Sequence, residues 1–175
     1  MKTYKNMEFR EFICELIRLF EPHTYVEMGV QKGYTFNMVS PMVKRAVAVD
    51  INDMISIITR PNVETCRMTS LEFAKQWTDP IDLLFIDANH RKECVLDDFD
   101  ALNGFVREGS GLILLHDTHP AAEHLLSDRF CSNAWEAAWE IRKKRKYADF
   151  EIMTLPGPYA GLSIIRKAKR HLAWR

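Results

Sequence analysis

Nine residues, EMGVQKGYT at 27–35, constrain this chain more than any other stretch. They follow a short apolar lead, Tyr25 and Val26, and are answered by Asp50 at the close of the run AVAVD. A strand that ends in a glycine turn, opens a helix and is followed about 20 residues later by a carboxylate is how an α/β sheet holds a nucleoside. Gly29 can turn the chain sharply off the strand and let a ligand approach its backbone. Gly33, at the start of the next helix, lets that helix pack closely and leaves its N–H groups free. Asp50 can accept from both ribose hydroxyls.

The turn departs from the GxGxxG dinucleotide fingerprint. Gln31 takes the middle position, and Gly33 stands one residue too far from Gly29 for the second and third glycines of that pattern. A pyrophosphate would fit poorly, which weighs against an NAD-binding oxidoreductase. Glu27 ahead of the turn faces a carboxylate to the site, suiting a ligand with an amino group and a sulfonium, such as S-adenosylmethionine.

Elements alternate along the chain. Phe9, Phe12, Ile13, Leu16, Ile17 and Phe20 recur at three and four, predicting an amphipathic helix over 7–20 that Pro22 stops and that covers one sheet face. Strands are expected at 24–28, 46–50, 63–67, 82–87, 111–116, 149–154 and 161–166. Helices are expected behind Gly33, near 53–59, at 70–77 with Thr69 and Glu72 as a capping box, at 91–107, and at 134–146. The last is read with Asn133 and Glu136 as cap partners and Trp135, Ala138 and Trp139 as its buried stripe. Leu83 to Ile86 and Leu112 to Leu115 run without alternation, as strands buried on both faces do.

Ligands of open α/β sheets lie at the carboxyl ends of strands. Asp50, Met68 to Ser70, Asp87 to His90 and His116 to His119 all stand there. Asp87, Asn89, His90, His116, Asp117 and His119 would place oxygen and nitrogen donors at the mouths of two adjacent strands, suited to a divalent cation or to proton transfer. The plainer reading is that Asp87 caps the helix starting near Arg91 and that the histidines face water.

The glycine turn, AVAVD, IDLLFIDANH and GLILLHD together resemble the class I S-adenosylmethionine methyltransferases, and within them the small branch of macrocin O-methyltransferases and cephalosporin hydroxylase-like proteins, over residues 24–166. The resemblance implies a Rossmann-like three-layer α/β sandwich, a seven-stranded mostly parallel sheet with an antiparallel C-terminal strand pair, in one domain over 1–175. It implies that Glu27, Gly29, Gly33, Thr35, Asp50, Ile51, Met68, Thr69 and Asp87 hold S-adenosylmethionine, with Met68 and Thr69 at the adenine. Asp87 and Asp117 match carboxylates that carry Mg²⁺ in metal-dependent O-methyltransferases. The third carboxylate or amide of such sites is missing here, so either an imidazole or hydroxyl completes the set, or no metal binds and His90 or His116 serves as general base. His116 and Asp117 join His90 as candidate catalytic residues.

The implied reaction is O-methylation of a small-molecule hydroxyl. The alternative is a domain that keeps the fold and methylates nothing. At 175 residues there is little room to cover a substrate, so a second subunit completes the pocket or no dedicated pocket exists. No Asn/Asp-Pro-Pro-aromatic stretch of amino-methylating enzymes is present. Lys plus Arg and Asp plus Glu both count 24, so no net field attracts nucleic acid. The four cysteines form no CxxC pair, no apolar run approaches a membrane span, and the N-terminus lacks a signal-peptide core, which together predict a soluble, cytoplasmic chain. The basic run RKKRK at 142–146 reads as a solvated helix end. Trp77, Trp135 and Trp139 read as packing. The 155–161 loop LPGPYAG is shaped for a lid, with Tyr159 toward substrate.

Overall fold

Alternate side chains of the central strands decide the layering. In a computed structural model describing residues 8–157 and 160–168, seven strands form one sheet. They are β1 (Thr24–Met28), β2 (Arg45–Asp50), β3 (Val63–Arg67), β4 (Leu83–Ile86), β5 (Leu112–His116), β6 (Phe150–Leu155) and β7 (Leu162–Lys167). Tyr25, Ala46, Ala48, Phe85 and Leu114 point to one face, where Ile13 and Ile17 of α1 (Phe9–Phe20) and Phe36 and Val39 of α2 (Tyr34–Val39) cover them. Val26, Met28, Val47, Leu84 and Ile113 point to the other, against α3 (Ser70–Gln76), α4 (Lys92–Leu102) and α5 (Ala134–Lys143). This is the expected three-layer Rossmann-like arrangement.

The strand order is β3-β2-β1-β4-β5-β7-β6. The four pairings from β3 through β5 are parallel, and β7 runs antiparallel to both β5 and β6. The chain therefore winds outward one way from β1 and the other way from β4. A crevice opens between their carboxyl ends, the switch point where such sheets bind ligands. Among the described residues, no helix is long and apolar enough to cross a membrane.

Three expected helices differ. None forms over 53–59. Ile51, Ile55, Ile57 and Ile58 are poor helix formers, and the segment is held from outside. The Asn37 amide on α2 donates to the Ser56 carbonyl at 2.9 Å and accepts from the Ile58 N–H at 2.9 Å. Met54 and Ile57 then pack on the α1/α2 layer while Ile55 stands 92% exposed. The helix expected to 107 ends at Leu102, because the Asn103 amide takes the Phe99 carbonyl and a single 3-10 turn returns Val106 to pair with Ile81.

The helix expected over 134–146 closes at Lys143, and its buried stripe is displaced by one residue. Ala134, Ala137, Ala138 and Ile141 face the core, while Trp135 and Trp139 are exposed, Trp139 by 59%. Small alanines let α5 approach α4 and β6 closely, leaving the large rings outside. Asn133 does not cap this helix; its Oδ1 accepts from the Lys92 N–H at 2.9 Å and caps α4 instead. RKKRK is the expected exposed helix end, with Lys144 paired to Glu140 and Lys146 to Asp100. Tyr159 lies outside the described residues.

Candidate functional site

Gly29 leaves β1 at φ +83°, and a Cβ there would sit 2.3 Å from both Ala88 Cα and the Asp87 carbonyl oxygen. Its bare backbone is thus required first by the neighbouring strand, whose exit crosses it, and it also lines the crevice. Gly33, at φ +70°, starts α2 with the Ile57 side chain 2.6 Å from where its Cβ would be. Gly33 serves this packing and lines neither of the two cavities at the switch point.

The first cavity, about 250 Å³, is walled by Asp50, Ile51, Met68, Thr69 and Asp98. Buried Asp50 already accepts three bonds, from the Gln31 N–H at 2.8 Å on one oxygen and from the backbone and side chain of Asn52 on the other. Its Oδ2 keeps room for an outside donor. Thr69 forms the expected capping box: its N–H donates to Glu72 at 2.9 Å and its hydroxyl accepts from the Glu72 N–H. Its carbonyl receives the Phe73 N–H, so Thr69 offers a ligand surface rather than a backbone bond. Met68 contributes a half-buried thioether wall.

Asp98 went unread in the sequence, though it occupies the stripe Val95, Asp98, Phe99, Leu102 that α4 buries. An acid on a core face was the available signal. Burial pushes its carboxyl up to about 6, and the Ser70 hydroxyl donates to it.

The second cavity, about 440 Å³, shares Gly29 and Asp87 with the first. Glu27 is 2% exposed on its wall, with the Tyr25 hydroxyl donating to it at 2.5 Å. Burial is the main cause that pushes Glu27 up to about 8, with nearby Asp87 adding to it. At neutral pH it is chiefly a neutral acid rather than the carboxylate expected from sequence. Thr35 is buried beside it.

The strand-end cluster assembles here. His116 Nδ1 lies 3.1 Å from Asp87 Oδ1 and 3.4 Å from Asp117 Oδ1. His90 Nδ1 lies 3.1 Å from Asp117 Oδ2, and its Nε2 is 3.6 Å from Asp87. Asp117 reaches this position from a left-handed backbone, φ +59°, and accepts from the Cys131 thiol at 3.2 Å. Burial opposes charge on both imidazoles, but the two carboxylates outweigh it, holding His90 up at about 9 and His116 at about 10. Burial alone would raise Asp87; the paired imidazoles instead hold it down at about 2.

Asp87 does not cap α4, because Asn89 takes the Arg91 N–H and Asn133 the Lys92 N–H. His119 stands apart, exposed, with its N–H on the Ala160 carbonyl at 2.7 Å, and Ala160 itself lines the second cavity. The Thr118 hydroxyl is bound by Ser163 of β7, which leaves the imidazole as third donor. One atom each of Asp87, His116 and Asp117 lie within 4.8 Å of one another, a set that fits a divalent cation.

Two further contributors carried no sequence signal. The segment between β5 and α5 roofs the cluster, the Phe130 carbonyl accepting from His90 Nδ1. From α1, Phe9 packs its ring 4.0 Å from His116, and Arg10 enters the second cavity.

A family model described as a methyltransferase domain matches residues 26–118, more than half of the chain. Among solved structures, cofactor-bound Rv0187 from MTB superposes with a TM-score of 0.73 at 15% identity, covering 94% of this chain and 83% of that one. The O-methyltransferase from Bacillus cereus in complex with SAH gives 0.67 at 15%, covering 93% and 83%. The O-methyltransferase TomG from Streptomyces achromogenes, in complex with SAM, gives 0.65 at 16%, covering 92% and 80%. No curated protein matches the sequence.

Proposed function

The chain belongs to the methyltransferase-domain family, and from that premise we propose that it transfers the methyl group of S-adenosylmethionine to a hydroxyl oxygen of a small-molecule acceptor. The observation that carries this is the pair of cavities adjoining at Gly29 and Asp87, one beside a ribose-type carboxylate and the other beside a cluster able to handle a hydroxyl proton. That proteins of the same fold were solved with SAH or SAM supports it.

Adenosine would lie in the first cavity, a ribose hydroxyl donating to Asp50 Oδ2, the adenine against Ile51 and Met68, and Asp98 on the same wall. The amino-acid end would pass Gly29 toward Glu27, whose proton is displaced when an ammonium arrives. The acceptor would enter the second cavity. Its oxygen attacks the methyl carbon while the C–S electron pair returns to sulfur, leaving S-adenosylhomocysteine, and holding the three atoms in line supplies most of the acceleration. Asp87, Asp117 and His116 would hold a divalent cation, which when bound supplies positive charge against the oxyanion forming on the acceptor. A cation on those carboxylates would weaken their hold on the His90 proton, and His90, which is outside the ligand set, would then be the imidazole placed to take the hydroxyl proton.

Calorimetric titration with S-adenosylhomocysteine and with NAD tests the reading. Binding of the former, lost or weakened about tenfold or more in Asp50→Ala, with none of the latter, is expected. NAD binding, or indifference to S-adenosylhomocysteine, overturns it.

A further inference from the structure

Arg10 poses a question that methyl transfer alone does not answer. Its Nε is buried with no hydrogen-bond partner among the described residues, and the nearest carboxylate, Glu8, stands 3.5 Å from Nη1 at the exposed side. A buried guanidinium nitrogen without an acceptor is costly, and α1 could have closed this face with an apolar residue. The guanidinium carbon instead lies 4.5 Å from the Phe9 ring centroid and 6.0 Å from that of Tyr34. Phe9 lies in turn on His116, so Arg10 stands next to the cluster that would receive the acceptor.

Two more cations line the same cavity, Lys32 from the turn after β1 and Arg129 from the segment before α5. They stand on different elements and are both exposed, so they ring the mouth rather than converge on one atom. Glu27 feels Arg10 but is chiefly protonated in the free protein and would face the cofactor's ammonium in the bound one, and the other negative groups, Asp87 and Asp117, are already paired with imidazoles.

We propose that Arg10 is the specificity-determining anion receptor of the acceptor site, and that the hydroxylated acceptor carries a carboxylate or a phosphate. This deepens the methyltransferase reading and rests on it for the word acceptor. A planar guanidinium set beside two aromatic rings offers paired donors to an oxyanion, while Lys32 and Arg129 draw such molecules to the mouth. The competing source of an oxyanion is the amino-acid end of the cofactor itself, and the experiment separates the two.

Protein saturated with S-adenosylhomocysteine is titrated calorimetrically with protocatechuate, a vicinal diol bearing a carboxylate, and with its uncharged carboxamide. The acid should bind about tenfold or more tightly, an advantage that shrinks as salt rises. Arg10→Gln should abolish the advantage and Arg10→Lys should keep part of it, both variants melting near the wild-type temperature. Equal binding of acid and amide by the wild type, or an advantage that survives in Arg10→Gln, overturns the proposal. So does a loss of S-adenosylhomocysteine affinity in Arg10→Gln by the same factor, which would assign Arg10 to the cofactor. If the wild type ignores S-adenosylhomocysteine, the methyltransferase reading fails separately. An acid preference that depends on Arg10 in cofactor-free protein would still uphold the anion site.

Discussion

Glu27→Gln isolates the consequence of placing an acid against the central strand. In the unfolded chain this carboxyl titrates near 4.5, and in the fold at about 8. Between those values the native state keeps a proton that the unfolded chain has released, so wild-type stability falls as pH rises through the window. The slope is about 1.4 kcal/mol per pH unit. From pH of about 5.5 to about 7 the group therefore removes about 2 kcal/mol, with no discount for solvent because the side chain is buried. Glutamine cannot ionise, and its carbonyl can still accept from Tyr25. Urea unfolding of both proteins at the two pH values should show the variant gaining about 2 kcal/mol on the wild type, with unchanged m-values. Other titrating groups are common to both chains and cancel.

The same substitution reads out on the ligand. An ammonium arriving at Glu27 expels its proton, so S-adenosylhomocysteine binding near pH 7 should release roughly one proton from the wild type and none from Glu27→Gln. Calorimetry in two buffers of different ionisation enthalpy measures this. A stability difference that stays flat with pH would mean that Glu27 titrates like an exposed carboxylate, and the argument from burial would be refuted.

Asp87→Asn removes a carboxylate from both imidazoles, so the His116 titration followed by NMR should move down from about 10 toward its ordinary 6.5. The stability that His116 contributes is fully present below about pH 6.5 and lost as pH rises through its folded value, and this variant should flatten that decline. Gly29→Ala drives a methyl into Ala88 and Asp87 at a positive φ, and denaturant unfolding should show a loss of several kcal/mol, roughly 3 or more, or no soluble protein. Ala137→Leu should cost about 1–3 kcal/mol by overpacking α5 on the sheet, whereas Trp139→Ala should change unfolding by less than about 0.5 kcal/mol.

Much of this molecule was legible because its strands are buried on both faces and end in chemistry. AVAVD, LLFI and LILLH could belong to few other environments, and the expected bounds of β1, β2 and β3 agree with the fold to within one residue. The cluster of Asp87, His90, His116 and Asp117 was readable for the same reason, since strand ends in one sheet must meet. What could not be read depends on partners distant in sequence. Asn37 replaces a helix by holding Ser56 and Ile58, a bond no local pattern announces. The α5 stripe was assigned to its tryptophans because burial correlates with size, while the close approach of α4 and β6 selects alanine. Nothing local to α1 announces Arg10, and only the packing of Phe9 on His116 brings it to the site.

The roof between β5 and α5 is fastened where the reactive groups are. Asn133 grips the first N–H of α4, the Phe130 carbonyl grips His90, and the Cys131 thiol grips Asp117. If acceptors enter beneath these residues, one too bulky to fit would have to prise them up and would pull the imidazole and the acid out of register. Admission and disarmament would then be a single mechanical event, with the width of the doorway sorting guests by size.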